Sequence, residues 1–161
     1  MAVKNSEIVA FFEQLAIDHK QLNHSDLHKH FYRMELNEFA LGVKGFEGYN
    51  MILEVMPISY DGSNRDNCFK IREVAFIIVK SLSDVNKEAI SSAFDDCEII
   101  VDDVLSKLNN ARVGFNNIVI TFDPSSIDAH QVSDGKNFGV RCLVDVKSSH
   151  NFNFVPENWN Q

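Results

Sequence analysis

Three features of the sequence predict an α+β fold, with helices packed on a mostly antiparallel sheet of about five or six strands. One long stretch, about 84–109, carries apolar residues at helical spacing. Short runs rich in β-branched and aromatic residues lie on either side of it, divided by polar turns. Their order is helix, three strands, long helix, then two or three strands, the plan of a layered fold with one core.

Asn5 or Ser6 can cap the first helix, in which Ile8, Phe12, Leu15 and Leu22 form an apolar stripe that ends near residue 22. "HKHFYRME" reads as a first strand, with Phe31 and Tyr32 on opposite faces. "YNMILEVMPI" is a second strand closed near Pro57, and "SYDGSNRDN" after it reads as a polar turn or loop. In "CFKIREVAFIIVKSL", alternation gives way to residues apolar on both faces from Val74 to Val79, which marks a long strand central to the sheet.

Ser83 and Asp84 open the long helix. Its stripe is Ile90, Ala93, Phe94, Cys97, Ile100, Val101, Val104, Leu105 and Leu108, with Asp95, Asp96, Asp102 and Asp103 away from it. Asn109, Asn110 and Gly114 can stop it. "NNIVITFDP" is a further strand. "SIDAHQVS" and "FGVRCLVDVK" then face each other across a hairpin at "DGKN", with Val140, Cys142, Val144 and Val146 turned to the core. Residues 1–149 therefore form a single domain, and 150–161 a C-terminal aromatic tail or arm carrying Phe152, Phe154 and Trp159.

The chain has 161 residues, enough to bury a real core, with 45% hydrophobic and 24% charged residues. Its formal charge of −8 argues against a surface that neutralises nucleic-acid phosphates or adsorbs to an anionic membrane, although it suits a conduit that repels DNA. The N-terminus lacks the order of a signal peptide, and the longest apolar run, "VAFIIV", is too short to span a bilayer. The expected location is a cytoplasm or a particle assembled there. Cys68, Cys97 and Cys142 form no C-x-x-C pair and read as buried thiols.

Four features are weighed as sites. His24, His28 and His30, with His19 upstream, offer metal-like spacings, i and i+4 on a helix or i and i+2 on a strand, but one segment cannot be both; they read as a solvated joint, with no metal expected. Asp95, Glu98 and Asp102, at i, i+3 and i+7, share a helix face, and the acidic face Asp95, Asp96, Asp102 and Asp103 is solvated or meets a basic neighbour or lines a channel. Gly42, Gly45 and Gly48 around Lys44 match neither phosphate-loop pattern and read as a connecting loop. No nucleophile elbow, kinase set or H-E-x-x-H is present, so neither catalytic residues nor a cofactor are expected. Phe39, Phe46, Tyr49, Phe152, Phe154 and Trp159 are instead expected to make contacts between subunits, unless the tail folds back on its own domain.

The N-terminal helix, the strands "YNMILEVMPI" and "CFKIREVAFIIV", the acidic helix 84–109 and the closing "FDPSSIDAHQVSDGKNFGVRCLVDVKSSHNFNFVPENW" together resemble the tail-terminator and tail-completion (head–tail joining) proteins of tailed bacteriophages. The chain is similar in particular to uncharacterised phage-type proteins of Bacteroidetes. The resemblance implies a non-enzymatic structural subunit in the tail or neck of the virion. It would form a homo-oligomeric ring, typically hexameric, that terminates the tail tube and joins it to the neck, with DNA only as passing cargo. Neck connector proteins and tube caps of contractile injection particles share this size and order. An opposing reading is a small cytoplasmic ligand-binding domain or enzyme, with Glu54, Glu73 and a histidine as the polar groups of a pocket.

Overall fold

The computed structural model describes residues 4–34, 38–39, 48–54, 57–64, 67–110, 120–122 and 124–150. The order is α1 (Asn5–Asp18), β1 (Phe31–Tyr32), β2 (Tyr49–Leu53), β3 (Ile58–Asn64), β4 (Asn67–Ser81), α2 (Lys87–Asn110), β5 (Ile120–Phe122), a 3-10 turn (Pro124–Ser126), β6 (Asp128–Asp134) and β7 (Asn137–His150). All seven strands belong to one sheet, and every pairing is antiparallel except β1 with β2. This is the α+β class that the sequence predicts.

The spine of the sheet is β4 against β7, in unbroken register from Cys68↔His150 to Ser81↔Asn137. Along the far edge of β4, β2 covers Phe76–Lys80 and β3 covers Asn67–Arg72. Along the far edge of β7, β6 covers Asn137–Leu143 and β5 covers Val146–Ser148. Because side chains alternate across a strand, one row of this spine faces the helices: Val74, Phe76 and Ile78 of β4 with Val140, Cys142, Val144 and Val146 of β7. Both helices lie on that face, α2 across β4 and β7 and α1 over β2. Phe12 of α1 meets Phe76 with ring centroids 5.5 Å apart, and Cys97, Ile100, Val101 and Val104 of α2 complete the core.

The opposite row holds a second, smaller cluster of Ile52, Ile77 and Val79 under Tyr32 and Phe39. Residues 74–79 are thus buried on both faces, as their uninterrupted apolar run requires. At the β6–β7 turn, Gly135 takes φ +61°, a left-handed conformation that costs any other residue strain. Gly139 meets a different demand: a Cβ there would lie 2.0 Å from the Ile78 carbonyl oxygen, so only glycine lets β7 lie this close to β4.

Several boundaries differ from those expected. The polar "SYDGSN" is not a loop but β3, an exposed strand whose register slips between Asp61 and Asn64. Helix α1 stops at Asp18, and Leu22 reaches the core from the turn beyond it, which Asn23 closes at φ +46°. Ser83 and Asp84 precede α2 without starting it. The cap is Asn86, whose Oδ1 accepts the Ala89 N–H at 2.8 Å. The first strand is only Phe31–Tyr32 among the described residues, and β7 runs past Lys147 through Ser148, Ser149 and His150, the last of which the sequence pattern assigns to the tail. The rest of that tail, residues 116–119 and 123 of the expected strand "NNIVITFDP", and Gly42, Lys44, Gly45 and Gly114 lie outside the described residues.

Candidate functional site: the two flanks of the acidic helix

A helix turns by about 100° per residue, so the four aspartates of α2 cannot all share one face. Ile100 marks the centre of the buried stripe, and Asp96 and Asp103 lie just to one side of it, seven residues apart. Asp95 and Asp102, also seven apart, lie away from the stripe, exposed together with Glu98. The single acidic face expected from the sequence therefore divides into two flanks with different roles.

The first flank faces β2 and α1, and its acids are engaged. The Tyr49 hydroxyl donates to Asp96 Oδ2 at 2.6 Å and accepts from Lys80 Nζ at 2.9 Å, while Lys80 Nζ lies 3.5 Å from the same carboxylate. Tyr49 and Lys80 are directly paired across β2 and β4, so this triad fastens the middle of α2 to the sheet edge. Burial, then the bond to Asp96, raise the Tyr49 pKa; the bond to Tyr49 leads the causes that raise that of Lys80. One turn pair further along, His19 Nε2 lies 3.3 Å from Asp103 Oδ2. That contact crosses an open cleft of about 560 Å³ between the C-terminal ends of α1 and α2, where Lys20 and Lys107 face Asp18 and Asp103.

The second flank faces β6. Here α2 and the sheet edge enclose an open groove of about 460 Å³. Val101, Leu105, Ile127 and Val140 supply its apolar lining, and Glu98 and Asp102 its acidic rim. Ala129 and Gln131 of β6 pair with Cys142 and Val140, which places both on the helix side of the sheet, and Gln131 Nε2 reaches Glu98 Oε1 at 3.5 Å. Among the described residues, no lysine or arginine lines the groove. Among the described residues, β6 is paired only with β7, which leaves the strand's other edge beside the groove. The i, i+3, i+7 spacing of Asp95, Glu98 and Asp102 signals this acidic flank from sequence. The sequence pairs β6 with β7 through the "DGKN" turn, and the structure has that hairpin, but nothing in the sequence sets β6 beside α2.

The histidines do not converge. His24 Nδ1 accepts the His30 backbone N–H at 3.1 Å, His30 Nδ1 meets Asn50 Oδ1 at 3.1 Å, and the exposed His28 is held through its backbone by Ser25. Among the described residues, no three His, Cys, Asp or Glu side chains stand close enough to share a metal ion.

Two of the expected contact residues are described, and both make contacts within the chain. Phe39 is fully buried, its ring 5.0 Å from that of Tyr32 in the chain's own second core, and so is not offered to a neighbour. Tyr49 is half-buried and committed to Asp96 and Lys80. Phe46, Phe152, Phe154 and Trp159 lie outside the described residues. Glu54, considered for a pocket, receives both Nε and Nη2 of Arg141 on one oxygen, at 2.9 and 2.8 Å, across the sheet face away from the helices; Glu73 is exposed. Sequence spacing could not find these long-range pairs, since nothing local links Glu54 to Arg141 or Tyr49 to Asp96. No helix among the described residues is long and apolar enough to cross a membrane. No family model matches the chain, and no curated protein matches it significantly.

Proposed function

We propose that this protein is a non-enzymatic structural subunit that works through protein contacts, as the tail-terminator ring subunit of a phage or phage-like particle, set between tail tube and neck. The observation that carries the protein-contact reading is the β6 edge with its groove: a seven-residue strand with an unpaired side among the described residues, beside an apolar floor with an acidic rim. Two further observations support it. The part-buried polar clusters join elements of the chain to one another: Tyr49–Asp96–Lys80 holds helix to sheet, and Glu54–Arg141 holds the end of β2 to β7. The two clefts described above are open to solvent, whereas a small-molecule site encloses most of its ligand. The ring and its place in a tail rest on the sequence resemblance, with which the α+β layering and the charge of −8 agree. Neck connector and injection-particle cap are the neighbouring readings within the same class.

The test is assembly. Light scattering over a range of concentrations, followed by negative-stain microscopy of the largest species, should find closed rings. A protein that keeps the mass of one chain at every concentration, or that binds a metabolite tightly as a monomer, would return the reading to a ligand-binding domain.

A further inference from the structure

We infer that the groove between α2 and β6 receives an extended, lysine- or arginine-bearing segment of a different protein, which adds to the sheet as a strand beside β6. The inference rests on the protein-contact reading above but not on the ring. An exposed strand edge is a template for main-chain pairing, and side-chain pockets beside it select the sequence that pairs. Here the selecting wall is α2. A strand laid along β6 turns alternate side chains toward the helix, as Ala129 and Gln131 already are. Those side chains would pass over Leu105 and Ile127 and end near Glu98 and Asp102. A lysine or arginine fits both parts, since its aliphatic stem covers apolar surface while its charged end reaches the rim. The other row of the added strand would continue the face of His130 and Val132, where a β-branched residue suits the sheet. Charge decides between partners. The rim is acidic, no lysine or arginine among the described residues lines it, and a second copy of this chain would bring a formal charge of −8 toward it. A basic segment of another protein removes that repulsion.

The probe is an acetylated peptide of seven residues alternating lysine and valine, matched to the length of β6, with a glutamate–valine peptide as its counterpart. Binding is followed by amide chemical shifts of the isotopically labelled full chain. The lysine peptide should give saturable shifts in Asp128–Asp134 and in residues 98–105, weakened by added salt. Affinity should fall at least tenfold in the double variant Glu98→Lys, Asp102→Lys, while the glutamate peptide gives no shifts. Both positions are exposed, and Glu98→Gln with Asp102→Asn gives a milder pair should the charge reversal disturb folding; it should still weaken binding several-fold. Absence of saturable shifts, equal binding of the two peptides, shifts confined to other regions, or undiminished affinity in a folded variant each overturns the inference. Light scattering on the same samples keeps the two readings apart. A protein that forms no ring yet binds the lysine peptide refutes the ring alone, and a ring that ignores the peptide refutes only the basic partner.

Discussion

Replacing Gly139 by alanine should be far more damaging than its single methyl group suggests. Gly139 sits in the middle of the sheet, paired with Val79 on one side and Val132 on the other. The new Cβ would lie 2.0 Å from the Ile78 carbonyl oxygen and 2.8 Å from Val79 Cα, where real Cβ atoms keep at least 3.0 Å. Both obstacles are backbone, so no rotamer change relieves the clash, and β4 and β7 must separate locally by about 1 Å. Ladder hydrogen bonds near 2.9 Å do not survive such a displacement. Overpacking costs about 1–3 kcal/mol and each lost ladder bond about 1 kcal/mol, so a total of about 2–4 kcal/mol is expected. For a chain of this size that lowers Tm by roughly 5–15 °C. Urea titration followed by circular dichroism measures the difference. Gly135→Ala is the matched comparison: nothing lies within 4 Å of its added Cβ, so its cost is the left-handed backbone alone, about 1–2 kcal/mol. A Gly139→Ala variant no less stable than Gly135→Ala would refute the close-approach argument.

Two other perturbations probe the triad and the buried thiols. Tyr49→Phe removes the hydroxyl between Lys80 and Asp96 and should cost about 1–2 kcal/mol in urea titration, as should Asp96→Ala, whereas exposed Asp95→Ala should stay within about 0.5 kcal/mol; equal effects at 95 and 96 would mean the triad anchors nothing. Burial pushes the Cys97 and Cys142 thiols up to about 12, while Tyr49 and Lys80 are also raised. All four bind protons more tightly in the folded chain, so their contribution is complete below the ordinary thiol value of 9.0 and is lost as pH climbs from there toward about 12. Stability should therefore decline through that alkaline window, and the native thiols should react with a disulfide reagent only as fast as the chain opens. A flat alkaline profile, or fast labelling of the folded protein, would contradict the burial.

The elements most legible in the sequence are those whose burial imposes a period. Strand β4 shows an apolar run because both faces are covered, and α2 shows its stripe because one side packs on β4 and β7 throughout. Strand β3 lacks any such imprint. Its side chains from Ile58 to Gly62 are exposed, so nothing local distinguishes it from a turn, and its conformation comes from pairing with β4. Strand β6 is equally exposed over Asp128–Gln131, but the Asp134–Gly135 turn marks it as one arm of a hairpin, and it touches the second core at Val132. Helix ends were blurred for a different reason. Ser83, Asp84 and Asn86 are all good caps by residue type, and only the position of the Ala89 N–H selects Asn86. Leu22 fits the α1 stripe in phase although it is not in the helix, because the turn at Asn23 brings it back onto the same core.

The acidic helix shows where a correct pattern still misplaces chemistry. Counting aspartates away from an apolar stripe treats the opposite side of a helix as one surface, but a helix laid on a sheet has two flanks as well as a back. On α2 each flank meets a different neighbour. Asp96 and Asp103 fall beside Tyr49, Lys80 and His19, which neutralise or hydrogen-bond them. Glu98 and Asp102 fall beside β6, which offers only Gln131 and His130. The first pair therefore serves contacts within the fold, although Asp103 stays largely exposed. Asp95 is exposed as well, but it is beside Glu98 and Asp102 that a strand edge lies. Removing all four carboxylates at once would mix loss of stability with loss of binding, whereas changing Glu98 and Asp102 alone leaves the helix anchored and alters what it presents.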